Sequence, residues 1–277
     1  MIDLIAEIGQ NHCGDIKIIE KMIISAAKNG ADYAKFQTWR VNKLKPGIWD
    51  SDGRREFYEK IELSDSMYQD IIKICQDNNV RFLTSVFCQE DLDFVRTFSN
   101  VVKIPSAECA NLELVTKAVE TFDTVYISIG GSTYPEYSKW LAIPNVVIMH
   151  CVSSYPCVPE DVNLARLKFF ISKGYKCGYS GHYFGIYDAL AAICIGASVV
   201  EKHFTIDRSL DGRDNKFSLL PDEFVRIKEF SKEYDKMSTM KGFDYQDCEL
   251  EIRNCHRGRW TNSNYDTVAF CYNKMQK

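Results

Sequence analysis

Glu7, Lys35, Gln37, Lys103, Glu201 and His203 are polar or charged side chains near the ends of short apolar runs. Lys35 with Gln37, and Glu201 with His203, have the two-residue spacing that puts both side chains on one face of a strand. Thr84 or Ser85, Ser128, His150, Ser180 and His182 hold equivalent late positions in other runs. Singly, each could be a satisfied buried polar group or a strand end in water. Together they argue for a polar pocket, because an unpaired buried charge costs several kcal/mol and a structural core would not collect four of them. Two lysines among small hydroxyls (Thr84, Ser85, Ser106, Ser128, Ser180) are chemistry for a phosphate or carboxylate. A Schiff-base lysine is the rival reading, but it needs one lysine held neutral. His182 and His203 would leave adjacent parallel strands about 5 Å apart, with Glu7 converging on them. That set suits a softly held divalent ion with open positions for substrate oxygen and water. The alternative is two ordinary site histidines. Gly130-Gly131 frees backbone amides for close approach.

The elements that would position these residues alternate along the chain. Apolar runs at Ile2–Ile8, Asp32–Thr38, Arg81–Phe87, Val101–Ile104, Thr124–Ile129, Asn145–Val152, Tyr175–Ser180 and Ser198–Phe204 read as strands. Amphipathic stretches between them, such as Ile16–Asn29, Asp65–Asn78, Leu112–Thr121, Asn163–Lys173 and Phe184–Ile195, read as helices. Pro221 opens a last helix over Asp222–Lys236, and Gly30 and Gly174 stand where helices stop. Eight strand-then-helix units predict an α/β chain folded as one (β/α)8 barrel, with its active site at the C-terminal ends of the strands. Two stretches depart from the pattern. Trp39–Ser64 reads as a long charged loop, the kind that carries function. Gly130–Pro144 leaves too little chain for a full helix, so strand five should be covered by a shortened helix with Trp140 and Leu141, or by another subunit.

The length of 277 residues fits one such barrel of about 250 residues. Apolar residues at 45% and charged ones at 26% exclude disorder as the main state. A net charge of −4 without a basic block argues against a nucleic-acid partner. The longest uncharged apolar stretch, Ala189–Val200, is too short to cross a bilayer, and Met-Ile-Asp lacks the features of a signal peptide. A cytoplasmic chain is expected, with its 11 cysteines mostly reduced and no C-x-x-C pair for zinc.

Six segments carry a family likeness. Ala6-Glu7-Ile8-Gly9-Gln10-Asn11-His12-Cys13-Gly14-Asp15 resembles the opening of the sialic acid synthase family, which makes nonulosonic acids from phosphoenolpyruvate (PEP). The resemblance continues in order through Gly30–Gln37, Lys103–Glu108, His150–Pro156, Gly178–His182 and Glu201–Thr205. It implies condensation of PEP with the open-chain aldehyde of an amino sugar, releasing phosphate. It also implies that His182 and His203 hold manganese or magnesium. Lys35, Thr84, Lys103, Ser106, Ser128 and Ser180 match positions around PEP. Glu7, Gln37, Glu108, Tyr155 and Asp214 match positions around the sugar and the attacking water, with Glu7, Lys35, Lys103 and Glu108 as the catalytic set. A homodimer is implied too.

The chain departs from the family's pattern at Ser153, where many relatives have an amide or another polar residue, and at Gly181, where an Asp often precedes the histidine. Many relatives continue into an antifreeze-like domain whose arginine reaches a partner's site. Here Glu249, Arg253 and Arg257-Gly258-Arg259 resemble the start of that linker, and the sequence stops at Lys277. The expectation is a barrel over 1–240 and a tail over 241–277, with the sugar held by Arg40, Arg54 and Arg55 of the long loop instead. A synthase of another ulosonic acid and a non-catalytic barrel in a glycan-synthesis complex are the competing readings.

Overall fold

Period-two alternation decides which side chains enter the barrel. The computed structural model describes residues 2–256. Its strands are β1 (Asp3–Glu7), β2 (Tyr33–Thr38), β3 (Arg81–Val86), β4 (Val101–Ile104), β5 (Thr124–Ser128), β6 (Val146–His150), β7 (Cys177–Gly181) and β8 (Val199–His203). They are parallel and close in chain order, β8 pairing with β1. The (β/α)8 barrel is therefore as the spacing predicts. One inward layer, Ile5, Tyr33, Leu83, Tyr126, Met149 and Val199, is an apolar floor separate from the larger core between strands and helices. Arg81 caps that floor, stacked 3.8 Å from the Tyr33 ring and paired with Asp3 at 2.5 Å. The next inward residue of most strands is polar, so the charged groups sit above a sealed floor and open only toward the strand C-termini.

The helices are α1 (Ile16–Lys28), α2 (Arg54–Ile61), α3 (Asp65–Asp77), α4 (Glu90–Arg96), α5 (Leu112–Thr121), α6 (Tyr134–Tyr137), α7 (Leu164–Ser172), α8 (Tyr187–Ile195) and α9 (Pro221–Met237). Side chains of Asp15, Ser64 and Asn111 cap α1, α3 and α5 by accepting backbone N–H bonds. In α1, Ile19, Met22, Ile23 and Ala26 form the buried stripe that helical spacing requires. The helix then stops at Gly30, whose φ of +88° an L-residue adopts only with strain.

Two connections repay comparison with the sequence. The stretch read as a loop, Trp39–Ser64, contains two 3₁₀ turns (Val41–Lys43 and Ile48–Asp50) and α2. That helix has no apolar stripe, with Ile61 as its one buried residue. It is held by polar ties instead: Arg55 pairs with Asp50 and donates to the carbonyls of Val41 and Leu44. After β5, the four-residue α6 and a turn over Ser138–Trp140 bury Tyr137, Trp140 and Leu141, so this chain covers strand five itself. No helix of the described residues is long and apolar enough to cross a membrane.

The chain divides into two units between Asp235 and Lys236. The C-terminal unit holds short turns at Asp247–Glu249 and Ile252–His256, with Arg253 stacked 4.1 Å from the Tyr245 ring. Arg257-Gly258-Arg259 lies outside the described residues.

Candidate active site

Strand register builds the site. Glu7 pairs with Lys35 on one side and His203 on the other, Ser85 with Gln37 and with Lys103, and Ser180 with Glu201. Their inward side chains line a cavity of about 210 Å³ at the C-terminal end of the barrel. Four charges form a chain across it. Lys35 Nζ lies 2.5 Å from Glu7 Oε2 and 3.6 Å from Glu201 Oε1, which lies 2.6 Å from Lys103 Nζ. All four are buried, and their charges cancel.

Hydroxyls and amides complete the set. Lys35 donates to Ser85 Oγ at 3.0 Å, Lys103 to Ser180 Oγ at 3.2 Å, and Gln37 Nε2 to Glu7 Oε1 at 2.8 Å. The hydroxyl of Ser106, on the cavity wall, bonds that of Ser153 at 2.9 Å. Buried Glu201 Oε2 has no hydrogen-bond partner among the described residues. Ser128 Oγ likewise finds no oxygen or nitrogen partner and lies beside the Cys151 thiol. Such groups cost about 1–3 kcal/mol each when left unmatched, so the cavity is built for a polar ligand. Burial raises the Glu7 carboxyl above its ordinary value, with Glu201 adding and Lys35 opposing. Burial lowers the Lys103 ammonium, against the pull of Glu201. Burial acts on Lys35 as well, but Glu201 and Glu7 together lift it.

His182 and His203 face each other with ring centroids 5.6 Å apart, and Tyr155 packs 4.1 Å from His182. His182 Nδ1 donates to the Val152 carbonyl at 2.7 Å, which leaves its Nε2 lone pair free. His203 Nδ1 has no hydrogen-bond partner among the described residues and stands 3.8 Å from Asp214 Oδ2. Burial holds His182 down to about 4 and His203 well below its ordinary value, so both rings are neutral, as metal ligands must be. Two neutral imidazoles with a carboxylate nearby fit a divalent ion whose remaining positions are open. No cluster of three or more His, Cys, Asp or Glu among the described residues is gathered for an ion. Glu7 does not supply a third donor, because its oxygens face Lys35 and Gln37.

Besides that of Glu7, several expectations from the sequence change. Thr84 does not reach the cavity: its hydroxyl bonds Thr38 at 2.8 Å behind the sheet, and Ser85 points inward. His150 also faces outward, where its Nε2 meets the Val162 carbonyl and its Nδ1 accepts from Arg166, while Cys151 lines the cavity. Glu108 lines a second, outer cavity and accepts a bond from Asn111. Arg54 and Arg55 are tied to Asp52 and Asp50 and line neither cavity, whereas Arg40 lines the outer one. The amide of Gly130 is engaged with Cys151 Sγ at 3.1 Å, and a Cβ there would lie 2.3 Å from Ser153 Oγ. A side chain at Gly181 would meet Asp188 Oδ2 at 2.4 Å, because Asp188 fills that space in a buried ion pair with Lys202. Glu201 is the residue whose role the sequence leaves open; its pairing with both lysines shows only in three dimensions.

The chain is similar to known proteins over most of its length. The NeuB family model matches residues 22–242. The chain is 31% identical over 246 residues to the N,N'-diacetyllegionaminic acid synthase of Campylobacter jejuni subsp. jejuni serotype O:2, covering 81% of this chain and 73% of that protein. It is 32% identical over 240 residues to the pseudaminic acid synthase of the same organism, covering 80% and 70%. Among solved structures, the N-acetylneuraminic acid synthetase of Leptospira borgpetersenii serovar Hardjo-bovis, in complex with citrate, superposes with a TM-score of 0.83. It is 28% identical, and the match covers 93% of each chain.

Proposed function

The chain belongs to the NeuB family, and from that premise we propose that it condenses PEP with an open-chain sugar aldehyde to give a nonulosonic acid and phosphate. The observation that carries this reading is the Glu7–Lys35–Glu201–Lys103 chain in a charge-balanced cavity, closed at its floor, with hydroxyl donors around it. PEP brings a carboxylate and a phosphate. Lys35 and Lys103 meet those anions, and Ser85, Ser106, Ser128 and Ser180 donate to their oxygens. The PEP methylene carbon attacks the aldehyde carbon, forming the new C–C bond and leaving positive charge at C2. Glu7 is placed to stabilise that charge and to take a proton from the water that adds there. Collapse of the tetrahedral centre breaks the C2–O bond, and the phosphate departs with its oxygen. Tyr155, Gln37 and Asp214 orient the sugar.

His182 and His203 would hold a divalent ion, manganese or magnesium, which supplies Lewis-acid stabilisation of the developing alkoxide when bound. A cytoplasmic setting and a homodimer belong to the same proposal. The first is supported by buried thiols such as Cys75, Cys109 and Cys177, which are free. Phosphate release from PEP, assayed with divalent metal against aldoses and N-acyl-hexosamines, tests the reading. Release that depends on an aldose supports it. No release with any aldose would rule it out in favour of a non-catalytic barrel.

A further inference from the structure

Behind the two imidazoles, β7 and β8 carry a buried ion pair that the condensation does not use. Ser180 and Glu201 are paired across these strands and face the cavity, so the next pair, Gly181 and Lys202, faces out toward α8. Lys202 Nζ spends all three of its protons there. It donates to Asp188 Oδ1 at 3.0 Å, to Asp188 Oδ2 at 2.8 Å and to the Tyr183 carbonyl at 2.7 Å. The Tyr179 hydroxyl donates to the same carboxylate at 2.8 Å. Both charged side chains are 2% exposed. Glycine at 181 leaves the room, since a Cβ there would fall on Asp188 Oδ2 and lie 2.6 Å from Tyr179 Cε1. These bonds end on the chain beside each imidazole. Tyr183 follows His182, and Lys202 precedes His203. The β7–β8 register stops at Gly181 and Lys202, so past that point the Lys202 side chain is what ties the two segments together. A buried ion pair adds little net stability over an apolar pair of the same volume. What this one supplies is direction, three bonds fixed from one nitrogen.

We propose that Asp188 and Lys202 are positioning residues for the ion site. Their pair fixes the peptide after His182 to the residue before His203, and so sets the separation of the two rings, 5.6 Å between centroids. Asp188 aims the ammonium, and the ammonium holds the Tyr183 carbonyl. Both side chains lie on the outer face of the strands and line neither cavity. This rests on the reading that the two histidines hold a divalent ion, and adds what keeps them at the distance one ion needs.

The test titrates metal-free protein with Mn²⁺, read by electron paramagnetic resonance, in the parent and in two variants. Asp188→Leu with Lys202→Met replaces the pair by apolar side chains of similar size, so that no charge is left buried. Asp188→Glu keeps the pair, and with it the fold, but lengthens one arm by a methylene. Circular dichroism checks that each is folded. The first variant should bind Mn²⁺ about tenfold more weakly than the parent and the second about threefold. Affinity for PEP, measured by calorimetry without metal, should stay within about twofold in both, because the lysines and hydroxyls that meet it are held by their own bonds. Parental Mn²⁺ affinity in either folded variant would overturn the inference and leave the ion reading standing. Equal losses of Mn²⁺ and PEP affinity would overturn it too, since that is what a general loosening of the barrel gives. A parent that binds no Mn²⁺ would overturn both this inference and the ion reading.

Discussion

At the scale of one residue, the proposed chemistry leans most on Lys103. It is buried, donates to Ser180, and shares Glu201 with Lys35. Lys103→Met removes the cation and leaves Glu201 with Lys35 alone at 3.6 Å. A loss of about 3–4 kcal/mol of transition-state stabilisation is expected, which is roughly 10²–10³ in kcat/KM for PEP. Steady-state kinetics would show PEP affected more than the sugar, and a parental kcat/KM for PEP would remove Lys103 from the anion site. His203→Ala should abolish turnover while circular dichroism shows the barrel intact, and EDTA should silence the parent until manganese is restored. Full activity in excess chelator on protein free of metal would exclude the ion. The sequence shows most of these residues directly, because Glu7, Lys35, Gln37, Lys103, Ser128 and Ser180 sit at the ends of apolar runs, and Glu201 and His203 share one strand face with Lys202 between them. It misleads where alternation is ambiguous. Thr84 and Ser85 are adjacent and both polar, and just after β6 the residue that lines the cavity is Cys151, a thiol that looks like core beside a histidine that looks like chemistry.

At the scale of elements, polar ties do what apolar stripes do elsewhere. The connection after β2 is legible as functional by its length, but its helix α2 is not, since it buries only Ile61 and hangs on Arg55. Arg55→Ala should free Val41 and Leu44, which line the outer cavity, and raise the acceptor KM several-fold without changing that for PEP. Arg54→Ala should do neither, because its pair with Asp52 is exposed and worth little. Equal effects of the two would refute the division of labour. Strand β6 is tied to α7 in a similar way. His150 accepts from Arg166 and donates to Val162, and burial holds it down to about 4 against an ordinary 6.5. Buried His12, which accepts from the Gly14 N–H, is also held down to about 4. Both must stay neutral in the fold, whereas in the unfolded chain they take up protons below 6.5. Their contribution to stability is therefore full above pH 6.5 and falls as pH drops toward 4, by about 1.4 kcal/mol per pH unit for each group. Urea midpoints across that window should fall accordingly, and His150→Gln should flatten the slope. A parent chain with constant stability from pH 6.5 to 4.5 would contradict this.

The barrel unit is closed, apolar at the floor and charged above it, so the proposed reading sets a trianionic substrate against two lysines in a space that water reaches from one side. The eight-unit count was legible because every strand is short, apolar and followed by a covering segment. The outer cavity was legible only in part: Trp39, Arg40 and Trp49 belong to the connection whose length marks it as functional, whereas Phe87 and Glu108 come from other connections and share no period with them. The central claim is that water adds to carbon C2 of PEP after a new C–C bond forms. PEP carrying ¹⁸O in the C2–O–P bridge, incubated with metal and an accepted aldose, tests that claim most directly when both products are weighed by mass spectrometry. The label should leave in the phosphate, with one 2-keto-3-deoxy acid formed per phosphate released. Unlabelled phosphate with the ¹⁸O left on the keto carbon of the product acid would mean attack at phosphorus, and the account of the site would be wrong.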